Sequence, residues 1–598
     1  MMKKMPSFLP WYVALLVAAI ALLYFESDFL WNVQEKNLFL ASSLFFSEQM
    51  VVPGGLLSWA GTFFTQFFYY PWLGVSMLCG WWLLLMWLTQ RAFRLPDQWL
   101  SLLLVPVAML LLTIVDMGYW LYVLKLQGHV FVATLGTTVV VALLWAFRSL
   151  PAPHYLRPLF LFVVSAVGYP LLGIYALAAT LLMAVWSWRL KGKAVACSVV
   201  AVLSVVAVPL LYYRYVFWQT NLANIYYAGL PLYYITEEYH AYYVPFYLLA
   251  LFYLLLVAVP VPTVKPVKAL VAQALVAVLL IGGVAHFWYR DENFHHEMSM
   301  MRSIEQHDWQ AVVEEAARQE DEPTRAIVMM RNLALSRLGR QGNDMFLYKN
   351  GSKRYEAPFD MRLMLAVGPQ MYYHYGMLNY CARLSTEMGV EFGWRSENLK
   401  LLALCAILNG EQQHARKYLG LLRQTLFFRQ WAQEAGQWVG DTAAIARNKE
   451  LSAVAHMMHY DNRLSSDQGY IESFLMQQLA NSRYTGDPVF QEQTLLATLW
   501  TKDATQFWRH FQDYIRLHPT DPMPRYYQEA AYLYTKLAGR EDLEQLPFDM
   551  NVKESFNQFM KAAAPYNNAD VDVARKALGF FSQTYYYDYY LMQQLPEY

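Results

Sequence analysis

Nine long apolar stretches fall within the first 290 residues of this chain, and they decide most of what it can fold into. A helix needs about 17–25 mainly apolar residues to cross a bilayer. The stretches run roughly over residues 11–25, 72–88, 99–115, 129–147, 159–169, 171–188, 195–211, 245–261 and 269–288. The fifth and sixth would read as one long tilted helix, but Gly168-Tyr169-Pro170 between them favours a short hairpin. The expected architecture is all-α. A polytopic transmembrane helical bundle of about nine spans occupies residues 1–289, and a soluble helical-repeat domain occupies 290–598.

Composition points the same way. The chain is 57% hydrophobic, 16% aromatic and 15% charged, against roughly 25% charged residues in soluble domains. Its net charge of zero hides an uneven distribution: up to Arg290 there are 15 basic and 8 acidic residues, and beyond it 31 and 38. Neither imbalance is steep enough to imply a nucleic-acid partner. Basic residues are held back on the cytoplasmic side of membrane proteins. With the amino terminus inside, the inner loops carry Lys3, Lys4, Arg91, Arg94, Arg148, Arg157, Arg189, Lys191, Lys193, Lys265 and Lys268. The outer loops carry Lys36, Lys125 and Arg214, with Arg290 just past the last span. An odd number of crossings then sends the carboxy-terminal half outward, into the periplasm if the membrane is a bacterial inner membrane. The first stretch reads as a retained anchor, because Glu26 and Asp28 close it and no small-x-small cleavage pattern follows.

After Trp288 the texture changes. Residues 309–319, 324–338, 371–388, 397–408, 412–423, 468–481 and 490–500 are helix-length and amphipathic. Gly339, Gly389, Gly410 and Gly486-Asp487-Pro488 read as breakers between them. The clearest unit runs from Leu399 to Glu411 and on to Ala415 and Tyr418-Leu419, a tetratricopeptide-like helix, glycine turn and second helix. The 34-residue period of that repeat is not kept, so the repeats are expected to be degenerate and an irregular helical bundle is the competing form. Cys79 and Cys197 fall in apolar stretches as packing residues, while Cys381 and Cys405 are expected as buried thiols that an oxidising compartment would permit to pair.

Several segments together resemble a family of uncharacterised bacterial membrane proteins with a polytopic amino-terminal half and a tetratricopeptide-like carboxy-terminal half. They are Gln34-Glu35-Lys36-Asn37-Leu38-Phe39, Pro53-Gly54-Gly55, the run from Phe63 to Gly74, Tyr375-Gly376-Met377-Leu378-Asn379-Tyr380, and Gly410-Glu411 to Tyr418-Leu419. The resemblance covers the whole chain and implies architecture rather than activity.

Seven of the eight acids before Arg290 fall on the expected outer side: Glu26, Asp28, Glu35, Glu48, Asp116, Glu237 and Glu238. This layout is similar to that of the C-type membrane glycosyltransferases, which place acids just after the first span and use a sugar carried on a polyprenyl phosphate. The resemblance implies that Asp28 or Glu26 deprotonates an acceptor hydroxyl, and that Asp116 orients that base or holds a divalent ion. It implies a phosphate-holding role for Lys125 and Arg214. Glu237 and Trp218 would contact substrate in the aromatic loop with Tyr226, Tyr227, Tyr233, Tyr234, Glu238 and His240. A plainer account also fits, since outer loops favour acids where bases are excluded and Tyr and Trp populate interfacial belts.

Other catalytic signatures are missing: there is no phosphate-cradling glycine loop with its lysine and no His-Glu-x-x-His zinc pattern. Pro53-Gly54-Gly55 reads as a tight turn. His295-His296-Glu297 reads as a solvated start to the second half, because adjacent helix residues point apart. The tyrosine run around Asp588 reads as packing or partner contact. The sequence does not identify a cofactor, and three function classes stay open. A transferase acting on a lipid-linked sugar leads. A non-enzymatic scaffold gripping envelope proteins through its repeat surface follows. A transporter comes last, since the spans hold almost no ionisable residues of the kind pathways use.

Overall fold

The computed structural model describes residues 9–125, 127–150, 155–190, 194–233, 239–261, 266–353, 361–461, 463–464, 470–539 and 547–595. Among them the chain is helical throughout, with no strand. It divides into two compact units. The first comprises Met1–Asp291 together with Gly389–Glu397 and Leu421–Gln430; the second comprises Glu292–Met388, Asn398–Gly420 and Trp431–Tyr598.

The first unit contains α1 (Leu9–Phe25), α2 (Ser27–Glu35), α3 (Ser43–Gln49), α4 (Gly55–Thr65), α5 (Pro71–Phe93), α6 (Leu104–Val115) and α7 (Trp120–Val123). It continues with α8 (His129–Ser149), α9 (Leu156–Leu172), α10 (Ile174–Ser187), α11 (Ala194–Tyr215), α12 (Val244–Ala258) and α13 (Pro266–Phe287). Helices α5 and α8 run parallel. Phe68, just before α5, packs on Phe131 at one end, and the Arg148 guanidinium reaches the Ala92 carbonyl at the other. The Trp82 indole donates to Thr134 between them at 3.2 Å. Helix α10 is the central element, packed by α8, α9, α11 and α12.

The expectation of nine spans is corrected. Each of the nine apolar stretches is helical, but among the described residues four helices are long and apolar enough to cross a membrane, or six if each of two bent pairs counts as one span. Helix α9 has 17 residues and α10 has 14, about 26 and 21 Å at 1.5 Å per residue, short of a hydrocarbon core of roughly 30 Å. The break between them also moves. Pro170 sits inside α9, and the chain turns at Gly173, whose φ is +59° and ψ −133°. That turn is a close approach of three backbones: the Gly54 amide donates to the Pro170 carbonyl at 3.0 Å and the Ile174 amide to the Ala228 carbonyl at 2.8 Å. Gly54 starts α4 from a left-handed turn, as the Pro53-Gly54-Gly55 reading anticipates.

Basic residues gather at one end of this unit and cap helices there. Arg148 serves the end of α5, Arg157 the Leu190 carbonyl, and Arg189 the carbonyls of Leu256, Val257 and Val259 at the end of α12. These are the carbonyls a helix leaves unsatisfied at its carboxy terminus. Along the sides, α1, α11, α12 and α13 leave apolar faces bare, including Leu16, Val17, Ile20, Val202, Leu203, Val206, Leu255, Val278 and Ile281.

In the second unit consecutive helices pack as neighbours. Glu292–Glu305, Trp309–Arg318 and Arg325–Arg337 form one cluster, and Ile471–Ala480, Pro488–Thr501 and Ala504–Leu517 another. Arg525–Ala538 packs on Met550–Ala563 and on Tyr585–Leu591. Side-chain N-caps at Asp308, Thr324, Asp487 and Asp503 fix where several of them begin. Gly339, Gly410 and Gly486 take positive φ at breaks. Gly389 does not: its helix continues to Phe392, and Gly393, at φ +91°, ends it. Cys381 and Cys405 are buried free thiols. His296 pairs with Glu315 at 2.8 Å while Glu297 turns the other way to accept from the Thr324 hydroxyl, so this trio diverges, and Glu297 is buried rather than solvated.

Candidate functional site

Two of the candidate acids lie where α1 meets α2. The chain bends by 76° there, and Glu26 sits at the bend. Its side chain is buried and accepts a hydrogen bond from the Trp288 indole at 2.6 Å, while the Phe25 ring meets Trp288 edge-on. Burial pushes the Glu26 carboxyl up to about 7, against a smaller downward pull from that indole. Asp28 lies in the first turn of α2, half-buried, and its carbonyl accepts from the Asn32 amide at 2.8 Å. Asp116 caps α6, and burial pushes its carboxyl up to about 6. The amide of Tyr289, next to Trp288, donates to the Val115 carbonyl one residue before Asp116. The 288–289 pair thus touches both ends from which the candidate acids project.

The expected cations and aromatics are dispersed. Lys125 forms an exposed ion pair with Glu391 at 2.6 Å. Arg214 is exposed in the last turn of α11, and Trp218, a few residues on, is 79% exposed. Tyr233 is buried against Trp120 and Tyr242. Glu237, with Tyr234 and Glu238, lies outside the described residues. Among the described residues no three His, Cys, Asp or Glu side chains gather as a metal site.

A second polar cluster lies at the end of α2. Gln34, Glu35, Lys36 and Asn37 are all buried. The Lys36 ammonium donates to both Glu397 oxygens, at 2.9 and 3.0 Å, and lies 4.8 Å from the Tyr122 ring centre. Burial lowers the Lys36 value, opposed by Glu397 and Glu35 and reinforced by Arg395. Arg395 donates to the Tyr122 carbonyl at 2.7 Å and stands 3.7 Å from Glu397. Both the amide and the hydroxyl of Ser396 donate to the Asn37 carbonyl. A cavity of about 20 Å³, room for one water, sits between Lys36, Asn37, Thr65, His129 and Arg395. Beside it, Tyr69 stacks on Phe427 at 5.0 Å and meets Phe428 edge-on.

Sequence reasoning names Glu26, Asp28 and Asp116 but passes over the Lys36 cluster. The available signal is a polar quartet, Gln34 to Asn37, inside an otherwise apolar loop. Its partners stand 361 positions away, a pairing that no local pattern encodes.

No curated protein and no solved structure matches this chain. One family does, over residues 2–593, and its matched span takes in both polar clusters and both units. The chain belongs to that family, a family of unknown function (DUF6057).

Proposed function

We propose that the chain is a multi-pass inner-membrane protein that transfers a sugar from a polyprenyl phosphate to an acceptor hydroxyl, with its second unit, a degenerate tetratricopeptide-like domain, in the periplasm. That side rests on the ends of α1 and α13 meeting at Glu26 and Trp288, not on an odd number of spans. The bare apolar faces of α1, α11, α12 and α13 support the membrane setting, since exposed apolar area of this extent needs an apolar surrounding. The observation that carries the activity is Glu26: a carboxyl buried at the bend after the first apolar helix, held by Trp288 and pushed up to about 7. A base with that value is matched to proton transfer near neutral pH.

Glu26 is therefore the base in this reading, with Asp28 two residues on and Asp116 at the end of α6 that the 288–289 pair also meets. The acceptor oxygen attacks the anomeric carbon and its proton passes to Glu26. The bond from that carbon to the phosphate oxygen breaks, and the polyprenyl phosphate leaves. Lys125 meets the phosphate by exchanging its exposed partner Glu391, an exchange that costs little because exposed ion pairs are worth ~1 kcal/mol or less. Arg214 and Trp218 lie exposed for contact with the lipid-linked sugar.

Profiling of envelope glycans and lipid-linked sugars in cells carrying Glu26→Gln, Asp28→Asn or Asp116→Asn, with protein levels checked by blot, tests this. The expected result is a defect matching the deletion in Glu26→Gln at normal protein level. Normal glycans in all three variants beside a defect in the deletion would replace this reading with a second one. In that one the chain is a membrane-anchored scaffold for envelope proteins, favoured by a large cavity in the second unit.

A further inference from the structure

The second unit encloses a cavity of about 820 Å³, within the range of roughly 300–1,000 Å³ typical of ligand sites. Its walls come from residues 320–323, 346–352 and 582–593, with Arg575. At its base lies Asp588, 2% exposed. Oδ2 of Asp588 pairs with the buried Lys353 ammonium at 3.3 Å, and Oδ1 receives no hydrogen bond among the described residues. A buried carboxylate oxygen without a donor costs folding energy, and a donor brought by a ligand would offset that cost.

The rest of the cavity selects the sign of that ligand. Glu320, Asp321 and Glu322 are exposed along one edge, one oxygen of Glu322 accepting from the Ser352 amide. The two basic side chains in the walls are already engaged. Lys349 donates to the Glu320 carbonyl, and Arg575 donates to the Leu591 carbonyl at 2.7 Å and to Asp572 at 2.9 Å. Spare acceptors without spare cations disfavour phosphate and other anions. Two tyrosine rings complete the walls: Tyr348, which already carries the Arg331 guanidinium at 5.3 Å, and Tyr587, a ring of the kind that suits a cation. The volume far exceeds one side chain. The Gln583 amide donates to the Leu347 carbonyl and the Gln593 oxygen accepts from the Ser352 hydroxyl, and the remaining donors and acceptors of both amides are of the kind that pair with an extended backbone.

We propose that this cavity binds a lysine- or arginine-bearing extended segment of a partner protein, its cation seated on Asp588 Oδ1 and steered inward by Glu320, Asp321 and Glu322. The proposal does not rest on the transferase reading, and Glu26 plays no part in it.

The test is fluorescence anisotropy on the purified full-length protein with a labelled peptide alternating Lys and Ser, its Glu-for-Lys twin, and a neutral oligosaccharide as competitor. The Lys peptide should bind more tightly than the twin and lose affinity as salt rises. Asp588→Asn should weaken it by at least about tenfold, as truncating one partner of a buried charge contact does. Because Asp588→Asn also leaves Lys353 buried without its partner, the exposed variant Asp321→Lys serves as the second arm and should weaken binding severalfold while the protein melts normally. Glu26→Gln should bind as the unaltered chain does. Equal affinity for both peptides, or an unchanged affinity in Asp321→Lys, overturns the proposal, and displacement by the oligosaccharide overturns it in favour of a glycan site.

Discussion

Glu26 is an acid whose surroundings oppose its charge. In the folded chain its carboxyl holds its proton up to about pH 7, whereas in the unfolded chain it releases it near 4.5. Between those values the folded state binds the extra proton, so stability falls as pH rises through the window. The full shift corresponds to about 3 kcal/mol at most. Glu26→Gln is expected to flatten the melting temperature between pH 4.5 and 7; a profile as steep as that of the unaltered chain would show that other groups set the slope. At Lys36 the expectation is the reverse of gain. Lys36→Met leaves Glu397 and Glu35 short of a cation and should cost about 3–5 kcal/mol, with part recovered in Lys36→Met/Glu397→Gln, as a two-by-two set of thermal melts would show. Glu26 was legible because an acid that closes an apolar stretch stands out. Its partner Trp288 was not, since nothing in either local sequence ties them together.

Among the elements, the nine apolar stretches could be read from composition, but α4 could not, nor could the number able to span. Composition reports that a segment avoids water and not whether lipid or protein replaces it. Helix α10 is apolar because it is packed by four other helices, and at 14 residues it is too short to span. Pro170 misled for a related reason. Proline interrupts helices in general, yet here it is carried inside α9, and the break falls three residues later where the backbone requires glycine. Gly173→Ala should therefore be severe. Its φ and ψ lie in a region essentially closed to other residues, and a Cβ would stand 2.1 Å from the Ala228 carbonyl oxygen. A loss of more than about 3 kcal/mol is expected. Gly80→Ala, in the interior of α5 with nothing within 4 Å of its Cβ, should instead be neutral or stabilise by up to about 1 kcal/mol. Thermal melts of the two variants side by side check both. A Gly173→Ala protein as stable as Gly80→Ala would refute the account of the turn.

For the whole molecule, the proposed topology makes a simple prediction. Alkaline phosphatase fused after Leu595 should be active, and fused after Arg94 inactive; the opposite pattern would invert the orientation argued from the basic residues. Residues 389–397 and 421–430 return to the first unit, a return that no local pattern of charge or periodicity announces. That return reaches beyond the finished fold to its synthesis. A ribosome delivers Lys36 long before it delivers Glu397, 361 positions downstream, and domains made at about 5–20 residues per second leave such a gap open for tens of seconds. Throughout that interval the nascent bundle carries a lysine and a glutamate with no place to bury them, and an aromatic surface at Tyr69 still waiting for Phe427. The amino-terminal half is therefore an unfinished object at birth, and a chain that stops at Arg290 should be degraded rather than persist on its own.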